Sequence, residues 1–363
     1  MPILDQGYQH WDGKLAGHAF RWLAITRQGV KAQFKNRWLV STLVGALAPA
    51  LLLAGFLILW GLFEQQATVL EPFLFLFQGL PDEVRHGPKG FRTTFWTLAF
   101  TLFFRVQTFF AFVLVMLVGP DLISQDLRFN ALPLYLSRPL RRVDYFLGKL
   151  GVIATFLLGI MLIPAILAYL IGLAFSMDPA VLPQTWRVLA ASAAYGAILA
   201  ASTGLLMLAL SSLSRNSRFV TAIWVGLWML GGAAADASRR TPAREWAPLA
   251  SYPADLASVR DALFDYDAQW DRLADVFRKG REAMQDAAGF GGRPRRPRIF
   301  GIPFGPPPPR DGLGPPEPPS PPGLTNADPA RPPWPWAAGV LAGLGVASAV
   351  VLSTRVRSLD RLK

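Results

Sequence analysis

The sequence predicts an all-α, polytopic membrane protein. Three observations predict it. Apolar residues make up 52% of the 363-residue chain. Several uncharged runs reach the ~20 apolar residues that a helix needs to cross the hydrocarbon core. Charged residues also sort between alternate connectors. There is no cysteine, so neither a disulfide framework nor a thiolate metal site exists. A net charge of +12 would point to nucleic acid in a soluble chain. Here the basic residues flank apolar runs, which the positive-inside rule explains, and no nucleic-acid partner is expected.

Residues 1–38 are polar and lead the chain, so a cleaved signal peptide is not expected. From Leu15 to Trp38 the apolar residues Leu15, Ala19, Trp22, Leu23, Val30, Phe34 and Trp38 recur at helical spacing, with Lys14, Arg21, Gln28, Lys31 and Lys35 opposite. That pattern predicts an amphipathic interface helix with its basic face towards lipid headgroups.

Six spans follow, at about 39–61, 95–120, 147–175, 187–212, 219–235 and 336–353. Segments 1–38, 121–149, 213–218 and 354–363 together hold 17 Lys/Arg against 6 Asp/Glu, whereas 62–94 and 176–186 hold 3 against 5. This asymmetry predicts both termini in the cytoplasm of a cell's plasma (inner) membrane. The fifth span is short and ends in Gly231 and Gly232, as broken or tilted helices do.

Residues 236–335 form a large non-cytoplasmic insertion between spans five and six. Within it Leu256, Val259, Leu263, Tyr266, Trp270, Leu273, Phe277 and Met284 step by three and four, save a vacancy at Gly280. The stripe fits a helical pair packed on the outer face of the membrane domain, or a coiled-coil seam to a second copy or an external partner. Residues 291–335 carry 17 of the 31 prolines, which predicts an extended linker. Trp334 and Trp336 then mark the boundary where the last span begins.

The chain is organised around 121–149, DLISQDLRFNALPLYLSRPLRRVDYFLGK, a polar and basic connector between two long apolar runs. Asp121 and Asp126 start it, Leu132-Pro133-Leu134-Tyr135-Leu136 form an apolar middle, and Ser137-Arg138-Pro139-Leu140-Arg141-Arg142 end it. Asp144 is placed to cap the next helix. This connector resembles the loop between the second and third spans of type 2 ATP-binding-cassette (ABC) transporter permeases. There an acidic residue, a Gly-Thr and a leucine run precede Ser-x-Pro-Leu-x-Arg and a later Gly-Lys. Asp126, Leu132/Leu134/Leu136, Ser137 to Arg142, and Gly148-Lys149 match, while Asn130-Ala131 stands where Gly-Thr is usual. The motif covers about thirty residues; the six-span plan covers the whole chain. The resemblance implies a coupling helix resting on a separate cytoplasmic ABC ATPase subunit, with a second permease copy alongside. It implies coupling roles for Asp126, Arg128, Leu136, Arg138, Pro139 and Arg142.

Absences narrow the chemistry. There is no G-x-x-x-x-G-K-[ST], so ATP would be bound by a partner and the chain itself is expected to be neither an enzyme nor a cofactor protein. His10, His18 and His86 have no metal-ligand spacing. No Asp or Glu falls inside a predicted span, which argues against proton- or sodium-coupled carriage. Arg105, close to Gln107, is the intramembrane charge that stands out, about ten residues into the second span. It is either a contact in the translocation path or a side chain that snorkels outward. Two functions remain: the permease of an ATP-driven exporter, or a membrane scaffold that recruits an external partner through 236–335.

Overall fold

The computed structural model describes residues 20–77, 79–131, 141–238, 247–287, 298–299, 302–303 and 332–360. The protein is helical and built for a membrane. Among the described residues five helical segments are long and apolar enough to cross one: Arg37–Glu64, Pro88–Arg128, Val143–Ser176, Val181–Leu213 and Trp334–Arg355.

Helix α1 (Arg21–Gln33) falls within the stretch predicted as an interface helix; Lys14, Leu15 and Ala19 lie outside the described residues. The helix stops short of Trp38. Asn36 breaks the chain there, and its side chain accepts from the Trp38 amide to start α2 (Arg37–Gly45). Leu23 and Phe34 remain exposed, as befits residues meant for lipid, while Thr26 is buried and its Oγ1 donates to the Gly148 carbonyl at 3.0 Å. A Cβ on Gly148 would lie 2.6 Å from that of Ile25, so only glycine lets α1 lie so close.

The first crossing is α2 continued by α3 (Leu47–Glu64). The chain returns, after the short α4 (Asp82–His86), along α5 (Arg92–Val118). Helix α6 (Asp121–Arg128) turns the corner. Helices α7 (Arg142–Ser176) and α8 (Val181–Leu213) make the longest crossings, of 35 and 33 residues. Both are apolar on every side, as buried or lipid-facing helices are. Helix α9 (Ser217–Ser238) covers the predicted fifth span. The core lies where these helices meet, with Trp60, Trp96, Phe104, Tyr169, Tyr195 and Trp224 fully buried.

Helices α10 (Tyr252–Leu263) and α11 (Tyr266–Ala287) carry the heptad stripe. Leu256, Val259, Tyr266, Trp270, Leu273 and Phe277 are buried within the chain. Helix α10 does not lie on a face of the bundle but reaches into it. The Tyr252 hydroxyl meets Ser202 and Thr203 at 3.2 and 2.8 Å, about 15 Å from the Leu213 end of α8 at 1.5 Å per residue. The other end of α10 sets Phe264 against Phe104, at 5.5 Å between ring centroids, beside Tyr195 at the middle of α8. Helix α10 is therefore a half-depth helix inside the bundle, seated against α8, α9 and α12 (Trp334–Asp360). Helix α11 then runs outward, donating from Arg272 to the Gly90 carbonyl. Two-residue strands β1 (Arg298–Ile299) and β2 (Ile302–Pro303) pair antiparallel.

Candidate functional site

Polar side chains gather at three levels of the bundle. The first is the end that holds α1 and α6. Helix α6 needs partners for its first amides, and Ser211 of α8 supplies one. Its Oγ accepts from the Ile123 and Ser124 amides at 3.1 and 3.0 Å and donates to the Pro120 carbonyl. On the other side, Asp126 Oδ2 lies 2.7 Å from Lys149 Nζ and accepts from the Tyr145 hydroxyl at 2.7 Å. The two flanks of the 121–149 connector are thus tied together, with Asp126 and Lys149 mostly buried. Asp126 is held within the chain, and Arg128 stands exposed beside Phe129. Asn130 takes φ 54°, the left-handed region that glycine and asparagine tolerate best. Asp144 is not the N-cap. It sits a turn inside α7, its carboxylate accepting from the Arg141 amide at 3.1 Å. Leu136, Arg138 and Pro139 lie outside the described residues, as does the side chain of Arg142.

The pair Arg105 and Gln107 is not brought together. Phe104, Gln107 and Ala111 fill the inner face of α5, and Arg105 is turned about 100° from Phe104, onto the exposed face with Leu102, Val106 and Phe109. Gln107 is fully buried, and its Nε2 donates to the Ala46 carbonyl at 3.0 Å and the Ile160 carbonyl at 2.6 Å.

The second level is the middle of the bundle, around α10. Asp255 is fully buried, and neither carboxylate oxygen has a hydrogen-bond partner. Arg260 and Asp261, also buried, pair with each other at 2.7 Å. Tyr195 shares a 2.9 Å hydrogen bond with Thr108. No Asp or Glu falls inside a predicted span, yet α10 carries buried carboxylates into the bundle. Acidic residues enter on a half-helix that follows α9, a route that span-by-span reading leaves out. The signals present were the short, glycine-ended fifth span and a proline, Pro253, in the first turn of α10.

The third level is the opposite end. Arg92 of α5 is buried and reaches Glu64 of α3 at 2.7 Å, Asp178 at 3.0 Å and Gln184 of α8 at 3.1 Å. The Trp60 indole donates to the same Glu64 carboxylate at 2.7 Å. Asp178, in the α7–α8 connector, accepts from the Ala180 amide and from Arg92, and both hold its carboxyl below the ordinary range. Among the described residues no group of three His, Cys, Asp or Glu could hold a metal ion.

Neither the protein-family models nor the curated proteins compared with this chain give a match. One end presents a tethered basic connector, the opposite end is locked by ion pairs, and an acidic half-helix lies between.

Proposed function

We propose that this chain is the membrane permease of an ATP-driven ABC transporter, an exporter in which a separate cytoplasmic ATPase subunit pushes on the 121–149 connector. The observation that carries this reading is the Lys149–Asp126 ion pair, backed by Ser211 at the start of α6. A coupling element must transmit force, so its base has to be rigid. Here the base is pinned to α7 and α8, and the exposed Arg128 lies beyond it.

The rest of the plan agrees. Helix α9 has 22 residues, about 33 Å at 1.5 Å per residue and long enough for a sixth span. With six spans both termini share the cytoplasmic face of the plasma membrane, beside the basic connectors. The left-handed Asn130 occupies the position where the resembling family has glycine, and Gly148 gives α1 its close seat. In this arrangement Asp126 positions the connector, while Arg128, Leu136, Arg138, Pro139 and Arg142 meet the ATPase. A second permease copy completes the transporter. The scaffold alternative rests on the helical stripe over 255–288 and on the proline tract; of that stripe Leu256, Val259, Tyr266, Trp270, Leu273 and Phe277 are buried inside the chain, while Leu263 is exposed.

Co-purification from mild detergent tests the proposal. An ATPase subunit should accompany the wild type and be lost from the double variant Arg138→Glu/Arg142→Glu. A wild type that brings down no ATPase would overturn it.

A further inference from the structure

We infer that Asp255 is a proton-binding site in the interior of the membrane domain, and that its proton keeps the half-helix α10 seated among the spanning helices. The inference starts from burial. The side chain is wholly enclosed by protein, and both of its oxygens lack a donor. An ionised carboxylate in such a place would keep neither water nor counter-charge, the most unfavourable state a side chain can take. Taking up a proton removes the charge, leaving a neutral carboxylic acid.

No charged neighbour offers another way out. Helix α9 has no titratable residue between Arg218 and Asp236, and α12 has none before Arg355. The turn Ala247–Ala250 has none. Helix α8 contributes Arg187, far up the helix, and Tyr195, which is bonded to Thr108. Helix α5 contributes Arg92, engaged with Glu64, and Arg105, on the exposed face. On α10 itself, Tyr252 is bonded to Ser202 and Thr203, and Arg260 is paired with Asp261. On α11, Tyr266 and Asp267 open the helix and the remaining charges lie farther outward, towards Gly90.

The consequence is a switch. Loss of the proton would leave a bare negative charge buried among the helices that pack on α10. The relief available is for α10 to shift until water or a cation reaches the carboxylate. The site thus gives the membrane domain a pH-sensitive element. It does not rest on the permease reading, because a scaffold with the same packing would hold the same proton.

Two measurements on the full chain in detergent or nanodiscs decide it. The first is thermal unfolding of wild type and Asp255→Asn from pH 4.5 to 8. A carboxyl that keeps its proton when folded binds more protons than the unfolded chain, so stability falls as pH rises above about 4. The wild type should lose melting temperature relative to Asp255→Asn by on the order of 2 °C per pH unit until the folded carboxyl ionises. A difference that stays flat over the range overturns the proposal.

The second needs no variant. Dicyclohexylcarbodiimide is apolar and reacts with protonated carboxyls. The O–H adds across a C=N bond, and the acyl group then migrates from oxygen to nitrogen, giving a stable N-acylurea with no atom lost. Peptide mass spectrometry at pH 7 should find one adduct on Asp255, fading as the pH is raised. Absence of the adduct at pH 6 and pH 7 overturns the proposal, whether or not Asp255→Asn folds.

Discussion

Gln107 Nε2 donates, at 2.6 Å, to the carbonyl oxygen of Ile160. Four residues on stands Pro164, inside α7, which has no amide hydrogen to give that carbonyl. The gap in one helix is filled from another. The same carboxamide reaches the Ala46 carbonyl, where α2 gives way to α3. A single side chain therefore joins three crossings, at the one break in each of two of them.

Gln107→Leu should cost about 1–3 kcal/mol, since it leaves a buried carbonyl unmet. Pro164→Ala returns the missing amide, so Gln107→Leu should cost less in that background. Unfolding of the four proteins of this double-mutant cycle measures the coupling. Additive losses would show that Gln107 does not serve the proline gap.

Glu64 and Arg92 should behave as a buried pair. Removing one partner, in Glu64→Ala or Arg92→Ala, strands a charge and should cost about 3–5 kcal/mol, whereas Glu64→Leu/Arg92→Met should recover most of the loss. Thermal unfolding in detergent is the readout. A double variant no better than the singles would mean that Trp60 and Gln184 depend on the charges.

Asp178 predicts an acid limb. Its carboxyl is depressed in the folded protein by the Ala180 amide and by Arg92. Its contribution is therefore complete above the unfolded value near 3.9 and is lost as pH falls through the lower folded value. Wild type and Asp178→Asn should differ in melting temperature at pH 6 and converge towards pH 3. Parallel curves would contradict the assignment.

Asp126, Lys149 and Tyr145 should be coupled in stability as well as in any ATPase contact. Tyr145→Phe should cost about 0.5–1.5 kcal/mol through the lost hydrogen bond. Asp126→Ala should cost more, and the Tyr145 substitution should add little to it. Limited proteolysis between residues 129 and 141 should speed up in Asp126→Ala if this residue holds the connector. An unchanged rate would separate Asp126 from that role.

The crossings α7 and α8 could be read from the sequence because each holds a long uncharged run closed by polar residues. The interface helix was legible by its period. Depth was not. The spacing of Leu256, Val259 and Leu263 defines a face and says nothing of which neighbour it meets. Asp255, four residues before Val259, lies on that same face, yet a count of apolar positions passes over it. Glu64 lies just beyond the first span that the sequence predicts, at about 39–61. The helix runs on to include it because Arg92, 28 residues later, neutralises it. The cost of a charge in a span leaves both readings of Arg105 open, and the neighbours filling the inner face of α5 decide for the exposed face. The connector's outer part, from Leu132 to Leu140, lies outside the described residues, so its resemblance remains one of sequence.

The seat of α10 also constrains how the chain can be made. Its walls include α12, which begins about seventy residues after Leu263. At roughly 5–20 residues per second, the ribosome needs about 4–14 seconds to deliver them. Over that interval α10, with Asp255, Arg260 and Asp261, has no complete shelter and must wait in the translocon or at the membrane surface. Assembly thus closes from the C-terminus, and a chain truncated before Trp334 should be a substrate for quality control even though the helices that precede it are intact.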